Sequence, residues 1–140
     1  MMKEELIKLE ELIGNFDNID KSDIKELMQK FFSKLGNRLE NYVGDYPTFI
    51  EPVYLEDNVK IGDDVLIGPN VYIGANSEIP DYVELSNTVI FENVIIGENF
   101  KLENCVIAKD SSLNFKNLDV KNSVLIGEAN SRDELQSKQF

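Results

Sequence analysis

Large apolar residues recur every six positions through the middle of the chain, in two parallel series. The first series is Phe49, Leu55, Ile61, Ile67, Ile73, Ile79 and Leu85, and the second is Val53, Val59, Val65, Val71, Ser77, Val83 and Val89. A period of six fits neither a helix of about 3.6 residues per turn nor a strand with two alternating sides. The chain is therefore predicted to turn at a fixed interval, as a solenoid whose coils stack their aliphatic side chains.

A second set of recurring positions predicts where the turns lie. These positions hold residues that tolerate a left-handed backbone, namely Asn58, Asp64, Asn70 and Asn76, together with Gly62, Gly68 and Gly74. Such residues lower the steric cost of a positive φ angle. We therefore expect short strands that end at corners built from these Asn, Asp and Gly residues.

A longer repeat indicates how many units make one coil. The segments Asn87-Thr88-Val89-Ile90, Asn104-Cys105-Val106-Ile107 and Asn122-Ser123-Val124-Leu125 are spaced by 17 and 18 residues. This spacing is close to three hexads, so each coil is predicted to be triangular in cross-section. The hexads are expected to keep register over residues 49 to 90, with a five-residue unit at residues 91 to 95. Between residues 108 and 119 the register is ambiguous, because Leu113, Phe115 and Leu118 cannot share one hexad position.

Residues 1 to 45 carry a helical pattern instead. One apolar stripe is Met2, Leu6, Leu9, Ile13 and Phe16, and the other is Ile24, Leu27, Met28, Phe31, Phe32 and Leu35. Spacings of three and four predict two amphipathic helices, the second capped by Asp20 or Ser22. Short helices of this kind cannot bury such stripes against each other alone. We expect them to pack on the solenoid end or on another subunit.

The repeat units resemble a known family. Ile61-Gly62-Asp63-Asp64-Val65-Leu66 and the two hexads after it are similar to the hexapeptide repeat of left-handed parallel β-helix transferases, over about residues 49 to 127. The recurring Asn-Ser/Thr-Val-Ile motif is most similar to motifs in the C-terminal β-helix of sugar-1-phosphate nucleotidyltransferases. The resemblance implies a homotrimer.

The predicted fold is mainly β, a left-handed parallel β-helix of about four coils with a small N-terminal α-helical cap. Residues 1 to 45 form the helical segment, 46 to 130 the β-helix, and 131 to 140 a polar C-terminal tail. The tail is expected to fray, or to form a short helix that docks through Leu135 and Phe140.

The net charge and the cysteine content limit which partners and which cellular compartment are expected. The net charge is -12, with 26 acidic and 14 basic residues, so nucleic acid and anionic membranes are not expected as partners. The single cysteine fits a reducing compartment. The N-terminus lacks an apolar signal core, and no run of residues is long enough to span a bilayer. We therefore expect a cytoplasmic protein.

The chain contains no histidine, which bears on the implied chemistry. The resemblance implies a histidine general base for acyl transfer, and three histidines in the related zinc carbonic anhydrases. A carboxylate replaces that base only where its pKa is raised. For nucleotidyl transfer, the resemblance implies a separate N-terminal catalytic domain with a Gly-rich nucleotide loop, and residues 1 to 45 hold no such motif. No catalytic residue and no metal site are therefore predicted.

Three groups of residues are weighed as sites. Weak candidates for binding a phosphate or nucleotide are Lys101, Lys109, Lys116 and Lys121. Candidates for a divalent cation are the carboxylates Asp63, Asp64, Asp81, Glu84, Glu98 and Glu103, although solvated corner residues explain them more simply. Cys105 aligns with Thr88 and Ser123 in the longer repeat, so it is predicted to fill a stacked small-residue position.

Two functions follow from these observations. The first is a non-catalytic trimerising or binding β-helix module that needs no cofactor. In this reading the helices mediate trimer contacts or dock a partner, such as a separate catalytic subunit. The alternative is an atypical acyltransferase or sugar-nucleotide-linked transferase with its site between subunits, which would use acetyl-CoA or a sugar nucleotide.

Overall fold

A computed structural model describes residues 2–18, 20–40, 42–44 and 46–140 of the chain. The helical elements are α1 (Met2–Gly14), a 3₁₀ helix (Phe16–Asn18) and α2 (Lys21–Ser33). Asp20 caps α2, because its Oδ1 accepts hydrogen bonds from the backbone nitrogens of Ser22 (3.0 Å) and Asp23 (3.3 Å). The two predicted helices are thus confirmed, although the side chains of Met2 and Phe16 lie outside the described structure.

The strands are short, as expected for a chain that turns at a fixed interval. In chain order they are β1 (Tyr42–Val43), β2 (Thr48–Phe49), β3 (Val53–Leu55), β4 (Val59–Ile61), β5 (Leu66–Ile67), β6 (Val71–Ile73), β7 (Glu78–Ile79), β8 (Glu84–Ser86), β9 (Thr88–Ile90), β10 (Phe100–Glu103), β11 (Val106–Ile107), β12 (Ser112–Leu113), β13 (Leu118–Lys121), β14 (Ser123–Ile126), β15 (Glu128–Ala129) and β16 (Gln136–Gln139).

These strands form the three faces of a parallel β-helix. Face A holds β3, β6, β9, β11 and β14, and face C holds β2, β5, β8, β10 and β13. Face B holds β1, β4, β7, β12 and β15, with Ile95 bridging β7 to β12. The described residues make about five turns, one more than the repeat predicts. The extra coil begins before residue 46, since Arg38 pairs with Tyr54 and β1 pairs with β4.

The corners confirm the prediction of a left-handed backbone. Asn58, Asp64, Asn70 and Asn76 have φ angles between 56° and 62°. The glycines act differently from expectation, because only Gly68 of the three has a left-handed φ, at 113°. A Cβ on Gly74 would lie 2.5 Å from the backbone nitrogen of Glu92 in the next coil. Close approach of neighbouring coils therefore requires that glycine.

The hexad register ends earlier than predicted. Left-handed residues are six apart from Asn58 to Tyr82, but the next one is Asn87, five residues later. This shift turns Thr88 inward and Val89 outward, so the assignment of Val89 to the solenoid interior is wrong. The predicted five-residue unit at 91–95 is wrong for the same reason, since Asn87 and Asn93 are again six apart.

The ambiguous stretch contains one longer unit. Asp110 and Asn117 are successive left-handed corners seven residues apart. The additional residue lets both Leu113 and Leu118 enter the core, with exposed fractions of 0% and 1%. Phe115 remains at the corner, where its ring centroid lies 5.2 Å from that of Phe100.

The tail is ordered against the solenoid. A 3₁₀ helix (Arg132–Glu134) leads into β16, which pairs antiparallel with β14, and Phe140 is buried. The tail therefore neither frays nor forms the expected short α-helix; it docks as a strand, with Phe140 buried and Leu135 partly buried against the core. Within the described residues, no helix is long and apolar enough to cross a bilayer.

Candidate functional site

Face A is covered by the chain's own helices. Its strands alternate between inward and outward side chains, and the outward ones form an apolar column of Tyr54, Tyr72, Val89, Val106 and Val124. Leu9, Ile13, Ile24, Met28 and Phe31 of the helices pack on this column and are buried. The helices therefore pack on a face of their own solenoid, whereas the sequence predicts them on its end or on another subunit.

Aromatic side chains form a stack on the first coils of face A. The rings of Tyr54 and Tyr72 stack with centroids 5.9 Å apart, and Phe31 meets Tyr72 edge-on at 5.7 Å. The Tyr72 hydroxyl donates a hydrogen bond to Glu56 Oε2 at 2.7 Å. Burial raises the pKa of Tyr72 above its ordinary value, and the bond to Glu56 raises it further. Tyr72 therefore stays protonated and serves as a hydrogen-bond donor.

Arg38 contacts the Tyr54 end of this stack. Its guanidinium carbon lies 5.9 Å from the centroid of the Tyr54 ring, in cation–π range. The same group donates to the Leu55 carbonyl at 2.7 Å and forms ion pairs with Asp57 and Glu56. The hydrogen bond to Asp57 raises the pKa of Arg38. Sequence periodicity gave no sign of this cluster, because its members come together only when coils 18 residues apart stack.

The stacked small residues are confirmed as a structural column. Thr88, Cys105 and Ser123 occupy paired positions on face A, point inward and are buried. Each donates a hydrogen bond to the carbonyl two residues earlier in the chain, at 2.7, 3.4 and 2.9 Å respectively. Burial raises the pKa of the Cys105 thiol to about 11. A thiol of that pKa is protonated at neutral pH and makes a poor nucleophile.

Two of the four candidate lysines lie on neighbouring strands of face C. Lys101 in β10 lies 3.3 Å from Glu84, and Lys121 in β13 lies 3.5 Å from Glu103. Positive and negative side chains thus alternate across the strands of this exposed face. Exposed pairs of this kind contribute about 0.2–1 kcal/mol each. Carboxylates outnumber lysines on this face, since Glu84, Glu103 and Asp119 lie beside the two lysines, so a phosphate would have to compete with them.

The other two candidate lysines lie elsewhere. Lys116 stands next to the corner between faces B and C, 3.6 Å from Glu98. Lys109 precedes the corner residue Asp110 between faces A and B. The structure therefore separates the predicted basic group into one pair and two single residues. Binding of phosphate by these lysines stays a prediction.

The carboxylates do not gather either. Asp81 accepts a hydrogen bond from the backbone nitrogen of Asp63 at 2.8 Å, which braces one coil on the next. In the part of the chain that the structure describes, no group of three or more acidic or cysteine side chains is placed to hold a metal ion. The carboxylates considered for a divalent cation are thus distributed along separate corners and strands.

An ion pair between a buried carboxylate and a half-exposed lysine ties the helices together. Glu5 of α1 is only 4% exposed and accepts a hydrogen bond from Lys34 Nζ at 2.6 Å. Lys34 follows α2 directly, so the pair closes the hairpin of helices at its open end. The bond from Lys34 lowers the pKa of Glu5, and the same bond raises the pKa of Lys34.

Comparison with known proteins identifies the solenoid. The family model for the GMPPB C-terminal domain matches residues 49–137. A crystal structure of a hexapeptide-repeat-containing acetyltransferase from Vibrio cholerae O1 biovar eltor, complexed with acetyl coenzyme A, aligns at 15% identity and a TM-score of 0.37. The alignment covers 99% of this chain and 86% of that one. The search of curated proteins found no match.

Proposed function

The chain belongs to the family of the GMPPB C-terminal domain, a sugar-nucleotidyltransferase β-helix, and on that premise we propose that it is a non-catalytic module that assembles as a homotrimer. Its proposed partner is a separate catalytic subunit, and its proposed compartment is the cytoplasm. The module requires no cofactor. Its work is to hold subunits together through the faces of the β-helix.

The distribution of exposed apolar side chains carries this proposal. Face A is sealed by the helices, which leaves faces B and C and the corner between them. Among the described residues, five of the six large exposed hydrophobic side chains lie there: Val43, Tyr46, Ile50, Tyr82 and Ile95. The sixth, Ile7, is on α1. With face A covered, these side chains are the apolar surface that faces B and C and their common corner offer to another subunit.

The state of the reactive groups supports a binding role over a catalytic one. Cys105 is buried with a raised pKa, and the Tyr72 hydroxyl is occupied by Glu56. Lys101 and Lys121 are engaged with neighbouring carboxylates. None of these four contacts leaves a poised nucleophile or base facing solvent.

The oligomer test uses a substitution that suits the backbone. Tyr82 has a φ angle of 61°, a conformation that Asn adopts more readily than Tyr. Tyr82→Asn therefore removes an exposed ring without straining the coil. We expect the wild type to have three times the chain mass by light scattering, and Tyr82→Asn to shift toward the monomer. Ile7→Asn is the matched control, and dissociation by this control alone would place the interface on the helices.

A second test addresses catalysis. Calorimetric titration with acetyl-CoA and with common sugar nucleotides is expected to give no binding heat. Micromolar binding at one site per chain would instead support an atypical transferase with its site between subunits.

A further inference from the structure

Helix α1 is held on the molecule at its two ends by different contacts. After its C-terminal end, the backbone carbonyl of Asp17 accepts a hydrogen bond from Lys138 Nζ of β16 at 3.2 Å. Near its N-terminal end, Glu5 Oε1 accepts a hydrogen bond from Lys34 Nζ at 2.6 Å. The first contact fixes the turn between the helices to the solenoid, and the second ties α1 to the end of α2. Within the described residues, the Glu5–Lys34 pair is the only salt bridge of α1.

The buried carboxylate of Glu5 depends on Lys34. Glu5 is only 4% exposed, and among the residues that the structure describes no donor reaches its Oε2. Lys34 Nζ therefore supplies the side-chain hydrogen bond that compensates this charge. Removing one partner of such a pair costs more than the pair contributes, because the remaining charge stays buried without compensation. Loss of the Lys34 charge is thus expected to drive Glu5 out into water.

Helix α2 has its own anchors on face A. Phe31 is fully buried and its ring meets Tyr72 edge-on at 5.7 Å, and Ile24 and Met28 are buried in the same cluster. Helix α1 has 13 residues, a length that is marginally stable without tertiary packing. An outward movement of Glu5 therefore displaces α1, while α2 keeps its contacts with the solenoid.

We propose that α1 is a lid on face A and that the charge of Lys34 keeps this lid closed. When the charge is lost, α1 moves away about the turn that Lys138 holds, and its buried Leu9 and Ile13 leave the apolar column of face A. The Lys34 side chain is 46% exposed, so it is accessible from solvent while the lid is closed. The lid lies on face A and does not depend on the proposed assembly through faces B and C.

Native-state hydrogen exchange, followed by NMR on the full-length chain, tests the lid. Lys34→Gln should speed amide exchange in α1 by about tenfold or more, because it leaves a buried charge without its partner. Amides of α2 and of β9 should keep their wild-type rates. Lys34→Arg retains the charge and should stay close to the wild type. Lys30→Gln is the matched control, because Lys30 lies one turn earlier on α2 and acts on Glu5 through its charge alone. It should change the α1 rates by less than about twofold.

A double substitution separates the Glu5–Lys34 pair from a general loss of stability. Glu5→Gln removes the carboxylate that needs compensation, so Lys34→Gln should accelerate exchange much less in that background than in the wild type. Acetyl-lysine incorporated at position 34 should act like Lys34→Gln. Unchanged α1 exchange in Lys34→Gln, equal acceleration in Lys30→Gln, or an equal effect of Lys34→Gln in both backgrounds would each overturn the role of the pair. Equal acceleration throughout α1, α2 and β9 would overturn the lid, because the chain would then open as one unit.

Discussion

Phe31→Ala tests whether the helices are seated on face A of their own solenoid. Phe31 is fully buried, and its ring meets Tyr72 edge-on at 5.7 Å. Truncation of a buried Phe costs about 3–5 kcal/mol, a range that includes the cavity and the lost ring contact. Helices of 13 residues are marginally stable without tertiary packing. The lost packing energy therefore weakens mainly the docking of the helices on face A. We expect the hairpin to detach before the solenoid unfolds.

The assay follows helix content and Tyr72 together. Urea unfolding monitored by circular dichroism should show helix loss at lower denaturant concentration in the variant. Burial is the largest cause of the raised pKa of Tyr72, so exposing its ring should move that pKa back toward the ordinary value. Ultraviolet absorbance of the phenolate measures this shift.

Ile7→Ala is the control for this prediction, because Ile7 lies on the same hairpin and is 58% exposed. We expect its unfolding free energy to stay within about 0.5 kcal/mol of wild type. If Phe31→Ala changed neither the helix transition nor the Tyr72 titration, the helices would have to pack on something other than this face.

Three further predictions test individual contacts. Gly97→Ala places a Cβ 1.6 Å from the backbone oxygen of Phe115 in the next coil, and should lower the free energy of unfolding in urea by about 1–3 kcal/mol or more. Gly36→Ala, which has open space around it, should stay within about 1 kcal/mol of the wild type. Cys105 should resist thiol reagents at neutral pH until the chain unfolds, and rapid labelling of the folded protein would contradict its burial. The pKa of Glu5 is lowered by Lys34, so this pair stabilises the fold above pH 4.5 and the stabilisation is lost as the pH falls through the lower folded pKa. Glu5→Gln should flatten that acid dependence, and an unchanged slope would assign it to other carboxylates.

Features set by local backbone preference could be predicted from the sequence. Asn58, Asp64, Asn70 and Asn76 stand at corners because a left-handed φ is a property of a single residue. The six-residue apolar period likewise reports which side chains face the interior. The family resemblance that follows from these units is confirmed by the match to the GMPPB C-terminal domain.

The register beyond residue 85 could not be read in the same way. On an exposed solenoid face, outward positions are polar and the inward ones stand out. Face A is covered by helices, so Val89 faces outward yet is apolar and fully buried. Apolar residues at both kinds of position hide the five-residue unit that begins at Tyr82. The helices can be predicted from the sequence, but the face of the solenoid that they cover cannot, and this hidden face causes the error in register.

The side-chain clusters depend on this register. Lys101 and Lys121 share face C only because β10 and β13 pair directly, while Lys109 and Lys116 fall at different corners. The Arg38 cluster requires the early coil before residue 46, which carries a helical pattern in the sequence. An error of one residue moves a side chain to the opposite side of a strand, so sites inferred from sequence charge alone could not be located.

The most direct test of the account is the mass of the wild-type chain in solution. Light scattering during size-exclusion chromatography should give three times the 16.0 kDa of one chain, with Tyr82→Asn shifted toward a single chain and Ile7→Asn unchanged. A wild-type mass of one chain across the accessible concentration range would contradict the proposal that the β-helix is an assembly module.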